Sequence, residues 1–228
     1  MDTLQDVMSD IRVFLYGGML TLPLTLAGTM SILGLFTANY ALLFFLLGYL
    51  IAAPLVAWCL NYAVSSTGAT WLTTTRADTC KVYMPYTTFS KPSPAVAEVV
   101  LCSEWMSMIS FFIGYMINNS FTMYSRDASN TSDAVPKVVN RTSQALIALI
   151  STIVFAVVVV WFRYNNGCET KWSLLITLVA FGNAGWWWYT MLSSIGQDRL
   201  SDLFGIANRL LPDSALKPKP VACVPIPN

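Results

Sequence analysis

The chain has 228 residues, 55% of them hydrophobic and 11% charged, with a formal net charge of +1 and no histidine. A soluble domain carries about 25% charged residues, so the composition points to a membrane protein, and a chain without excess basic charge offers no surface for nucleic acid. Losing histidine removes the commonest general base and metal ligand, and cysteines at 59, 80, 102, 168 and 223 form no C-x-x-C pair, so no zinc, iron–sulfur or other cofactor is expected.

Residues 1–12 are a polar lead, or the first turns of an interfacial helix, in which Asp2, Asp6 and Asp10 stand where a signal peptide would be basic, so the first apolar run is expected to be retained. Residues 13–36 form the first predicted span, which contains Pro23 and Gly17, Gly18, Gly28 and Gly34; such residues are tolerated in lipid when neighbouring groups satisfy the freed backbone. Thr37, Ala38 and Asn39 make a very tight connection to the second predicted span, 40–64, which holds Pro54 and Trp58. So short a link makes the two an antiparallel hairpin. The two prolines, which interrupt helical hydrogen bonding, leave open a re-entrant arrangement.

Residues 65–97 are the longest polar segment, rich in threonine and punctuated by Pro85, Pro92 and Pro94, with a strand-like pattern near 81–89. The third predicted span, 105–124, follows Glu98 and Glu104, acidic groups suited to the positive end of a helix dipole. Residues 125–143 are polar and carry sequons beginning at Asn130 and Asn140. The fourth predicted span, 145–162, is the most lipophilic and is closed by Arg163; Asn165, Asn166 and Gly167 are a turn signal. The fifth, 172–195, carries Trp186, Trp187 and Trp188, read as an aromatic collar because consecutive helical residues point about 100° apart.

After the break at Gly196, Gln197 and Asp198, apolar residues recur at helical spacing over 198–211. Leu200, Leu203, Phe204, Leu210 and Leu211 fall on one face, and Arg199, Asp202, Asn208 and Arg209 on the other. The segment is too short and too charged to span, so it is predicted to lie in the interface as a partner-docking helix. The tail, 212–228, has Pro212, Pro218, Pro220, Pro225 and Pro227 and polyproline II character.

Five spans place the termini on opposite sides. Arg12, Arg76, Lys81, Lys91, Arg163 and Lys171 on one side are balanced by Arg126, Lys137, Arg141, Arg199, Arg209, Lys217 and Lys219 on the other, so positive charge does not orient the chain. Cys80 and Cys168 fall on the N-terminal side, where a disulfide would need an oxidising compartment; the sequons at Asn130 and Asn140 would need the opposite. The C-terminus is expected to face the cytoplasm or a virion interior.

No nucleophile–base pair, phosphate loop or metal-ligand cluster is present, so the chain is not read as an enzyme. Asn61, Asn118, Asn119 and Asn183 are polar groups at membrane depth and are read as interhelical hydrogen-bonding residues, with a polar path for a channel or transporter subunit as the alternative. The predicted span cores contain no Asp, Glu, Lys or Arg, which ion and proton pathways usually show. Small residues four apart allow close helix approach, at Ser110 and Gly114, Ala53 and Ala57, and Ala180 and Ala184.

The stretch SSIGQDRLSDLFGIANRLLPD and the proline-rich tail, on a histidine-free, aromatic-rich set of spans, resemble multi-pass membrane proteins of the virions of large double-stranded DNA viruses. The resemblance implies a structural role in an internal membrane beneath a capsid and transfers no functional residue.

The fold expected is therefore all-α: a polytopic integral membrane protein of about five transmembrane helices with a C-terminal interfacial amphipathic helix. The partners expected are the lipid bilayer and, through the C-terminal helix and tail, other membrane, capsid or complex subunits. The location expected is a virion internal membrane or a host endomembrane.

Overall fold

The structure is a computed structural model that describes residues 2–67, 74–75, 80, 99–125, 135–196 and 198–203. It is all-helical apart from one antiparallel pair of two-residue strands. In chain order the elements are α1 (Asp2–Phe36), α2 (Tyr40–Leu47), a π-helical turn (Gly48–Ala52), α3 (Ala53–Thr67), β1 (Thr74–Thr75), β2 (Val99–Val100), α4 (Glu104–Ser125), α5 (Val135–Asn165), α6 (Lys171–Gly196) and α7 (Asp198–Ser201). The strands pair Thr74 with Val100 and Thr75 with Val99. The strand-like pattern near 81–89 lies outside the described residues, as do Glu98, Asn130 and the tail.

The link between α1 and α2 is a helix stop made by backbone hydrogen bonds. Asn39 N–H donates to Gly34 O at 3.0 Å and Ala38 N–H to Leu35 O at 3.4 Å, with Ala38 at φ +50°. That is a Schellman closure with alanine where glycine is usual. Asn39 then caps α2 by accepting from the Ala41 N–H at 3.1 Å. Pro54 cannot donate to the carbonyl four residues back, and the helix accommodates this just upstream by widening into the π turn, where Ala53 N–H reaches Gly48 O. The helix continues from Tyr40 to Thr67, 28 residues. Its length is about 42 Å at 1.5 Å per residue, and it runs on past Pro54 without a break.

Among the described residues two helices, Tyr40–Thr67 and Thr142–Asn165, are long and apolar enough to cross a membrane. The most apolar window of the second is only 17% buried against the rest of the chain. A helix that hydrophobic in the core of a soluble protein would be covered. Here Ile147, Val154, Val157 and Trp161 face outward. Hydroxyls on exposed faces bond within their own helix: Thr21 Oγ1 donates to Gly17 O at 3.1 Å and Thr29 Oγ1 to Thr25 O at 2.8 Å.

Helix α4 is the centre of the bundle and is buried on most sides. Against α6 the backbones touch. A Cβ built on Gly114 would sit 1.9 Å from Gly182 O, and one on Gly185 would sit 2.0 Å from Phe111 O. Gly114 and Phe111 thus lie at the closest approach, with Ser110 in ordinary contact; on α6 the matching residues are Gly182 and Gly185, not Ala180 and Ala184. Against α2, Phe45 packs among Phe111, Phe112 and Tyr115 with ring centroids 4.9–6.1 Å apart. Against α5, Val159 is buried with Trp105, Ile109 and Ile113. Helix α1 is tied on by Trp105 Nε1, which donates to Leu20 O at 3.0 Å, and by Tyr49 OH, which donates to Pro23 O at 3.3 Å.

The continuous amphipathic helix predicted over 198–211 is corrected at its start. The helix ends at Ser201, and Ser201, Asp202 and Leu203 are buried. Tyr115 OH donates to Ser201 O at 2.8 Å, and Leu203 joins the core around Phe45 and Tyr115. Leu203 therefore serves the chain's own packing rather than a partner, because the segment from Asp198 lies against α2 and α6. Leu200 is half-buried; Phe204, Leu210 and Leu211 lie outside the described residues.

Candidate functional site

The densest polar arrangement is at the end of the bundle where α5 stops and α4 and α6 begin. The turn signal at Asn166-Gly167 builds it. Gly167 adopts φ +65°, with Gly167 N–H donating to Tyr164 O at 3.0 Å and Cys168 N–H to Arg163 O at 3.2 Å. This is a second Schellman closure, here with the glycine that the left-handed conformation favours. It reverses the chain so that Glu169 falls back onto Arg163, the last basic residue of α5, and Cys168 turns toward the 65–97 segment. There it forms a disulfide with Cys80, Cα–Cα 5.5 Å, closing 88 residues of sequence.

Arg163 and Glu169 are each 2% exposed and form a salt bridge, with Nη2 and Nε of the guanidinium 2.8 and 3.2 Å from Glu169 Oε1. Ser103 sits between them. Its hydroxyl donates to Glu169 Oε1 and accepts from Arg163 Nη2 at 3.3 Å and from the Met106 N–H at 3.1 Å. The guanidinium also lies 4.7 Å from the ring centroid of Trp105. Glu169 Oε2 is buried without a hydrogen-bond partner. Ser103 is saturated and enclosed, so it is not placed to act as a nucleophile; the arrangement is an electroneutral knot joining α4, α5 and α6.

Asn61, from the second half of α3, completes this end. Its Oδ1 accepts from the N–H groups of Leu101 and Cys102 at 3.0 and 2.9 Å, and its Nδ2 donates to Cys102 O at 2.8 Å. One amide thus satisfies the irregular backbone between β2 and α4. Ser173 donates to Leu101 O from the other side. Burial pushes the Cys102 thiol up from its ordinary range; the Thr177 hydroxyl opposes this and the Glu169 carboxylate adds to it. A thiol held protonated is a poor nucleophile. No group of three or more His, Cys, Asp or Glu that could hold a metal occurs among the described residues.

The other asparagines take no part in this knot, and their hydrogen-bonding situations differ. Asn118 Nδ2 donates across to α6, to Trp186 O at 2.9 Å and Thr190 Oγ1 at 3.0 Å. Asn119 is fully buried with neither amide atom hydrogen-bonded. Asn183 faces outward and donates to Val179 O of its own helix at 2.7 Å. The structure therefore does not bring the four into one path. The tryptophan run divides likewise. Trp187 is 72% exposed, whereas Trp188 turns inward over Gly48 and donates to Phe44 O at 3.2 Å. Two open grooves share Asn183 and Trp186 as lining residues: one of about 430 Å³ on the outer side of α6, and one of about 450 Å³ between α4, α5 and α6.

Sequence reasoning missed the Arg163–Glu169–Ser103 knot. The available signal was an oppositely charged pair six residues apart across a glycine turn, directly beside a cysteine. It went unread because Arg163 marks a helix end, where a charge is ordinarily solvated.

Comparison of the chain with protein-family models, with curated proteins and with solved structures finds no match.

Proposed function

We propose that the chain is a non-catalytic, structural membrane protein. In this reading α1, the Tyr40–Thr67 helix, α4, α5 and α6 cross the bilayer, and the protein anchors or organises an assembly there. The observation that carries the reading is the inverted distribution of polarity. Large apolar side chains such as Phe36, Ile147, Trp161 and Trp187 cover the outside, while Asn118, Ser107 and the Arg163–Glu169 pair are enclosed. A bundle in water would show the reverse; a bundle in lipid has no other way to satisfy its polar groups.

The Cys80–Cys168 disulfide supports placing that end in an oxidising compartment. The segment after α7, at the opposite end, then faces the cytoplasm or a virion interior, where the sequons at Asn130 and Asn140 would stay unmodified. The partner layer is a capsid or complex lying against that face, engaged by residues beyond Leu203. The channel alternative draws no support from the asparagines, since Asn183 faces outward and Asn61 is committed to the 101–102 backbone.

Two measurements test the reading. The protein should resist alkaline carbonate extraction from membranes, and single cysteines introduced as Asn166→Cys and Ser125→Cys should label with an impermeant thiol reagent from opposite sides. Extraction into the supernatant, or labelling from one side, would end it. Truncation after Leu203 should leave the bundle inserted but abolish co-purification with the assembly; normal assembly of the truncated chain would refute the docking role.

A further inference from the structure

Helix α6 presents a continuous outward face through Leu175, Val179, Asn183, Trp187 and Thr190. Asn183 is its anomaly. It lies twelve residues from Lys171 and thirteen from Gly196 in a 26-residue helix. At 1.5 Å per residue it is therefore about 18–20 Å from either end. If α6 spans, as proposed above, that is the middle of the hydrocarbon.

An amide carries two N–H donors and a carbonyl acceptor. One donor of Asn183 is spent on Val179 O; the other N–H and Oδ1 have no partner among the described residues. An amide turned into hydrocarbon with open hydrogen-bonding capacity is unfavourable. Lipid headgroups and water do not reach that depth, so a partner must come from another protein segment. Thr190, one heptad further on, needs nothing: it donates to Trp186 O at 3.0 Å and accepts from Asn118.

We propose that the face of α6 centred on Asn183 is the contact between two copies of this chain in the membrane. An amide is self-complementary. Across a twofold axis, each Asn183 can donate its free N–H to the other's Oδ1, satisfying both at once. The relief of the surface is self-complementary too. Trp187 projects beside a concavity of about 430 Å³ bounded by Asn183, Trp186, Trp187 and Thr190, so each copy offers a knob next to a hole.

The test uses the full chain in phosphatidylcholine vesicles, labelled separately with donor and acceptor fluorophores and diluted over a range of lipid-to-protein ratios. Energy transfer should rise with protein density. Asn183→Leu should weaken association by about tenfold, the scale of a small number of hydrogen bonds between membrane helices, and Asn183→Gln should retain most of it. No transfer by the wild type, or equal transfer by Asn183→Leu, would overturn the contact. Oxidation of Asn183→Cys in a Cys59→Ser, Cys223→Ser background, in native membranes, should give a species of twice the chain mass that the background alone does not give; a cross-linked product of any other mass would overturn the second copy as the partner. Because the proposal rests on α6 spanning, Lys171→Cys and Ser194→Cys are labelled in parallel with an impermeant reagent. Opposite-side labelling with no self-association refutes the contact alone, whereas same-side labelling refutes the span and the contact with it.

Discussion

Replacing Gly114 with alanine tests the central contact of the bundle. The added Cβ would lie 1.9 Å from Gly182 O, 2.6 Å from its carbonyl carbon and 2.7 Å from its Cα. All three are backbone atoms of a helix, so no side chain can swing aside. Ordinary contact begins at 3.4 Å, so α4 and α6 must separate by roughly 1.5 Å. The same movement lengthens the Asn118–Trp186 O hydrogen bond from 2.9 Å to about 4.4 Å, beyond hydrogen-bonding range. Overpacking costs about 1–3 kcal/mol, and leaving a buried amide unpaired costs about 1–3 kcal/mol. Together they predict a loss of roughly 2–6 kcal/mol. Gly28→Ala is the control, since a Cβ there meets nothing within 4 Å; it should be neutral or stabilising by up to about 1 kcal/mol through helix propensity. The assay is equilibrium unfolding of both variants in mixed micelles, followed by tryptophan fluorescence. If Gly114→Ala unfolds with the wild-type midpoint, the α4–α6 backbone contact is not as described.

Arg163→Met alone should destabilise by about 3–5 kcal/mol because it strands the Glu169 carboxylate in a dry site, and Arg163→Met with Glu169→Met should recover most of the loss; unfolding midpoints of the three variants decide it. Asn61→Leu leaves two N–H groups and a carbonyl of the 101–102 backbone without partners, and should cost about 3 kcal/mol, read as faster proteolysis before α4. Cys80→Ser with Cys168→Ser should lower stability by about 2–4 kcal/mol; an unchanged midpoint, compared with the wild type before and after reduction, would contradict the link. The Cys102 thiol should stay unreactive to maleimide at neutral pH until the protein is unfolded. Because its pKa is raised in the fold, its burial should favour the native state below the ordinary thiol pKa, and that share should be lost as pH rises through and above that value.

What the sequence determined is what short-range chemistry controls. The long apolar runs set the helices, and their ends came out within a few residues at 36, 40, 124 and 195 because turn residues and caps act on their immediate neighbours. Helices α1 and α5 depart most, beginning at Asp2 rather than 13 and at Val135 rather than 145, since polar residues carry a helix beyond its lipophilic part. The Asn166-Gly167 turn was legible because a left-handed residue is a local demand. Only the tertiary structure decided which groups meet. Gly182 and Gly185 rather than Ala180 and Ala184 receive α4, because shared helical spacing leaves the facing side undetermined. Arg163 reads as a solvated helix end until the turn returns Glu169 to it and α4 supplies Ser103. The segment from Asp198 has the pattern of a surface helix, yet Tyr115, more than eighty residues earlier, holds Ser201 against the bundle and commits Leu203 to the core. Amphipathic spacing records that a face must be covered; what covers it depends on residues distant in the chain, and that is fixed only when the helices pack.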